Sequence, residues 1–129
     1  MMNYARERAE EILKTARTAV LATTGPAGVQ VGEFPCEAFE LELYLLIPKT
    51  SDHLFNLEQD DRVALHAEQW ELTGKGQVFS PGEKMPQISL LPKLKVGWYV
   101  FVKVIPGQIQ VLRTDGWGPA ETIDLTTNQ

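Results

Sequence analysis

The chain has 129 residues, 43% of them hydrophobic and 22% charged, a balance that fits one folded domain over residues 1–129 and excludes collagen-like, low-complexity and largely disordered chains. Twelve Lys and Arg against seventeen Asp and Glu leave a formal charge of -5, which argues against a nucleic acid held through its phosphates. Cys36 is the single cysteine and has no internal disulfide partner, and no basic-then-apolar leader opens the chain. The apolar runs over 43–47 and 97–105 fall far short of the about 20 residues of a spanning helix. The expectation is therefore a cytoplasmic protein with no membrane span.

Residues 3–17 predict an amphipathic helix. Asn3 is a candidate cap, Ala5, Ala9, Ile12, Leu13 and Ala16 recur at helical spacing, and Glu10 precedes Lys14 by one turn. Two strands follow over 19–23 and 29–34, joined by the Gly25-Pro26-Ala27-Gly28 turn and closed by Pro35. Over 39–47 the residues alternate. Phe39, Leu41, Leu43, Leu45 and Ile47 lie on one face and Glu40, Glu42 and Tyr44 on the other, which predicts one strand with a buried and a mostly wet face. Pro48 ends it, Lys49-Thr50-Ser51 supplies a helix cap, and 52–57 predicts a short helix. Paired strands over 62–68 and 70–79 come next, with a bend at Gly74 and Gly76. The proline-rich stretch 80–95, with a small apolar patch at 88–91, reads as a loop. Strands over 96–105 and 108–113, joined by a Pro106-Gly107 turn, and a tail with apolar residues around Ile123 and Leu125 complete the chain. The outcome is an α+β domain, mainly antiparallel β, closed into a small barrel to remove exposed edges.

Four stretches resemble the pyridoxamine 5'-phosphate oxidase-like FMN-binding split-barrel family: Ala19-Val20-Leu21-Ala22-Thr23-Thr24 before a glycine turn, Leu43-Tyr44-Leu45-Leu46-Ile47, Thr50-Ser51-Asp52-His53-Leu54-Phe55-Asn56-Leu57 running on to Asp61-Arg62-Val63-Ala64-Leu65, and Leu72-Thr73-Gly74-Lys75-Gly76-Gln77-Val78. The resemblance implies a six- to seven-stranded split β-barrel with an N-terminal helix and a short inserted helix. It also implies a homodimer with FMN between the subunits. Apolar residues expected on outer strand faces, Tyr99, Phe101 and Ile105, fit the dimer.

Thr50-Ser51 opening a helix is the candidate phosphate site, because unpaired backbone donors and the positive end of the helix dipole attract an anion; the plainer role of Ser51 is to cap its own helix. Lys49 beside it offers a charge for a flavin phosphate. By the resemblance, His53 stands where many members carry Lys or Arg, and Gln69 stands where the oxidases carry a glutamine near the flavin. Trp70 beside it is a ring-covering residue or a core tryptophan, and Trp117, between Gly116 and Gly118, is a pocket cap across the dimer or a structural plug. No strong acid, base or nucleophile stands out as catalytic. His53 and His66 with one cysteine give no zinc spacing, so no metal is expected. The implied function is an FMN-dependent oxidoreductase acting on a small molecule. Between Thr18 and Asp61, however, Lys49 is the only Lys or Arg, while Glu33, Glu37, Glu40 and Glu42 crowd the same stretch. That depletion supports the alternative, a non-catalytic ligand-binding or sensory dimer with a degraded flavin pocket.

Overall fold

The computed structural model describes residues 4–79 and 98–126; the expected 80–95 loop and Asn3 cap lie outside them. Helix α1 (Tyr4–Leu13) buries Ala9 and Leu13 and is tied to the far end of the chain by Arg8, whose Nε donates to Glu121 at 3.0 Å. It stops four residues earlier than its periodicity extends. Ala16 has to turn into the core, and Arg17 donates to the Lys14 and Ala16 carbonyls as the chain leaves the helix.

Strands β1 (Thr18–Thr23) and β2 (Gln30–Phe39) form the first hairpin. Pro35 does not end β2, as its missing N–H led us to expect. Up to Pro35 the strand pairs with β1, and from Cys36 it pairs with β3 (Glu42–Pro48), so the proline sits where the strand changes partners. The alternation over 39–47 is likewise two strands. Phe39 faces Glu42 across a two-residue turn in which Glu40 is left-handed, with φ 56°. Such a turn preserves alternation, so periodicity alone does not reveal it. Nor is one face of β3 wet: Tyr44 and Leu46 are buried with Phe101 in a second apolar cluster flanked by Phe79 and Tyr99. Phe101 thus finds its cover inside the chain.

Helix α2 (Asp52–Gln59) leads to β4 (Arg62–His66) and β5 (Trp70–Phe79). The two closing strands expected around Pro106-Gly107 are one, β6 (Tyr99–Leu112), and the tail supplies a further strand, β7 (Pro119–Asp124). Pro106 is absorbed by a register shift at Thr73/Gly74, where the chain bends without reversing. The sheet order is β3-β2-β1-β4-β5-β6-β7, and a β3–β6 pairing closes six strands into a barrel that leaves β7 as an extension. Its interior holds Leu21, Leu43, Leu45, Ile47, Leu65, Leu72, Val102, Val104 and Ile109.

A Cβ at Gly74 would run into the Ile105 carbonyl and the Pro106 Cα, backbone atoms that have little room to give. Gly74→Ala is therefore expected to destabilise the protein by about 2 kcal/mol, the usual cost of overpacking, read as a lower urea midpoint.

Candidate functional site

Helix α2 plugs one end of the barrel. Ser51 caps it, its Oγ accepting from the His53 N–H at 3.2 Å, and His53, Asn56 and Leu57 form its buried stripe. Two of these three are polar, so each needs partners. Asn56 is fully buried: Nδ2 donates to Thr23 Oγ1 at 3.1 Å and to the Gly28 carbonyl at 2.8 Å, while Oδ1 accepts from the Ala27 N–H at 2.9 Å. His53 Nδ1 lies 2.8 Å from the same Thr23 hydroxyl, and Phe34 packs edge-on against the imidazole at 5.4 Å between ring centroids. Thr23 Oγ1 accepts from Asn56 and thereby joins the two side chains, its contact with Nδ1 running in the direction that the imidazole tautomer sets. Burial lowers the His53 pKa, with Asp52 opposing. The Thr23–His53–Asn56 clamp that joins α2 to the β1–β2 turn was not anticipated from the sequence. Its signal was present in the spacing, since positions 53, 56 and 57 fall on one helical stripe.

The site residues expected from the sequence separate. Lys49 and Thr50 line a cleft of about 290 Å³ with Pro48, Trp98 and Tyr99. His53, beside them in sequence, turns inward. Gln69 is exposed and lines a cleft of about 380 Å³ that also includes Thr15, Arg17, Thr18 and Glu68. Trp70 is 4% exposed and belongs to the core, so packing accounts for it. Trp117 is 96% exposed at a loop tip between two left-handed glycines. Cys36 is buried, and its thiol is pushed up to about 12 by burial against the opposing field of Arg17, which keeps it protonated and unreactive. A further recess of about 690 Å³, lined in part by Val63, Gly74, Lys75, Ile105, Pro106 and Leu125, was not expected either. It opens over the β5–β6 irregularity.

No family model and no curated protein sequence matches this chain. Solved structures do. General stress protein 26 from Bacillus anthracis superposes with a TM-score of 0.68 at 16% identity, covering 95% of this chain and 100% of its own. A protein related to general stress protein 26, of the pyridoxinephosphate oxidase family, from Clostridium acetobutylicum gives 0.64 at 10% identity over 97% of each chain. The fold is the split barrel of the pyridoxamine 5'-phosphate oxidase-like proteins. The heme storage protein HutZ from Vibrio cholerae has the same barrel, with a TM-score of 0.59 at 15% identity over 83% of this chain and 94% of its own.

Among the described residues, the start of α2 offers an anion the charge of Lys49. Asp52 complements the helix's positive end, Ser51 Oγ is engaged by the cap, and His53 is buried, which favours its neutral form.

Two predictions test the clamp. Asn56→Ala leaves the Ala27 N–H and the Gly28 carbonyl without their side-chain partner and opens a cavity, so a loss of about 3 kcal/mol is expected by chemical denaturation. The depressed pKa of His53 means that the unfolded chain binds a proton as pH falls below the ordinary histidine value while the folded chain does not. Its contribution is complete above that value and is lost as pH falls toward the folded pKa. The urea midpoint should therefore drop between neutral pH and pH about 5.5, with a smaller drop in His53→Gln.

Proposed function

We propose that this chain is a non-catalytic small-molecule-binding or sensory protein that works as a homodimer. The observation that carries the reading is the α2 N-terminus, where the residue facing the expected phosphate position from within the helix, His53, is instead committed to Thr23 inside the fold. A ligand bound there meets a shallow recess with two aromatic side chains and one lysine, so shape and apolar contact hold it more than charge does. The dimer is supported by exposed apolar side chains on separate elements, Val29, Val31, Phe55 and Trp117, which a second copy would cover. Among the described residues no helix is long and apolar enough to cross a membrane.

The second reading is an FMN-binding oxidoreductase on a small substrate. Lys49 and Thr50 favour it, since they line one cleft with Trp98 and Tyr99 beside the start of the helix, which sets a charge and a hydroxyl next to two aromatic rings. Because HutZ is a heme storage protein, a haem is the other planar ligand to include in a binding test.

The absorbance spectrum of the purified protein, followed by titration with FMN, riboflavin and haem, separates these readings. The expected result is no stoichiometric flavin after purification, with FMN and riboflavin affinities within about tenfold of each other, a gap of about 1.4 kcal/mol. FMN held far tighter than riboflavin, with the difference removed by Lys49→Ala, would put the phosphate at Lys49 and install the oxidoreductase reading.

A further inference from the structure

We propose that the 113–118 loop of one copy seats Trp117 in the groove at the end of β7 of a second copy, and that the contact is reciprocal across a two-fold axis running beside β7. The proposal rests on the homodimer reading above and specifies which surfaces make it. Two separate anomalies lead to it. The first is Trp117, a large apolar ring left 96% exposed and held out by Gly116 and Gly118, both left-handed at φ 81° and 75°. The backbone there is shaped to present the ring to something outside its own chain. The second is the groove of about 690 Å³, whose walls include Val63, Ile105, Pro106 and Leu125 and whose lining includes Lys75. Lys75 has no acidic partner within ion-pair distance among the described residues, whereas Arg62 in the same groove is held bidentate by Asp60. An indole entering the groove covers the apolar wall and offers its face to the lysine.

The topology supplies the reciprocity. Trp117 lies just before Pro119, where β7 begins, and Asp124, Leu125 and Thr126 of the groove lie where it ends. Within one chain, loop and groove are therefore separated by the length of the strand, about 17 Å at 3.4 Å per residue. Among the described residues β7 pairs with β6 alone, so its other edge has no strand beside it. Two copies laid antiparallel along β7 bring each loop to the other's groove, the self-complementary arrangement a two-fold axis requires. Charge is complementary as well, since the loop carries Asp115 and the groove carries Lys75.

Sedimentation equilibrium of the full chain tests the contact. Trp117→Ala and Lys75→Glu are each expected to raise the dimer dissociation constant at least tenfold, and Asp115→Lys added to Lys75→Glu is expected to recover most of that loss. All three positions are exposed, so the unfolding midpoint should stay in place as a control for folding. As an independent readout, Trp117→Cys combined with Gln108→Cys should form an interchain disulfide under mild oxidation, with the buried Cys36 standing aside. A dimer whose constant is unmoved by Trp117→Ala, or which gives no crosslink, overturns this contact and leaves the homodimer reading intact. A monomer at tens of micromolar protein overturns both.

Discussion

Everything in this structure depends on how β6 divides its two edges. One edge runs along β5 for nearly its full length. The other serves β3 from Tyr99 to Val104 and β7 from Gln108 to Leu112, so a single strand both closes the barrel and carries the extension beyond it. Closure removes the free edges that β3 and β6 would otherwise present. It also decides which residues are interior, because the strand faces that point into a closed barrel have no route to solvent. The change of partner falls at Ile105-Pro106-Gly107, opposite Gly74, where a side chain would strike the neighbouring backbone.

A closed barrel leaves an open end, and α2 fills it. The helix is only eight residues long, so its own hydrogen bonds do not make it stable and its docking has to come from packing and from polar partners. Leu57 supplies the apolar part. Asn56 and His53 supply the polar part, and through Thr23, Ala27 and Gly28 they hold the turn between the first two strands against the helix. The same arrangement has a chemical consequence. With His53 turned to the interior, the outer lip of the helix is left, among the described residues, with Lys49.

The elements themselves were largely readable. Apolar spacing marks α1, α2 and the strand interiors, and glycine or proline marks most of their ends. The misreadings share one cause. Pro35, the Glu40-Leu41 turn and Pro106 each mark a place where a strand changes its partner or its course, and a residue's meaning there depends on which strand lies beside it. Trp70 shows the same limit for side chains: beside Gln69 it reads equally as a ring over a ligand or as core, and only the register of β5 against β4 and β6 assigns it to the interior.

By itself the sequence determined the class of the fold, the number and kind of most elements, the Ser51 cap and the scarcity of positive charge before Asp61. These are local properties, set by periodicity, capping chemistry and composition. Tertiary structure alone decided that β3 meets β6, that His53 and Asn56 face Thr23 and not solvent, and that the outward face of β3 is buried too. Each of these requires residues 30 or more positions apart to meet, as Thr23 and His53 do. Short-range patterns carry no information about which distant group satisfies a buried hydrogen bond or covers an apolar face. That is settled only when the barrel closes and every buried polar atom has to find its partner in the space that remains.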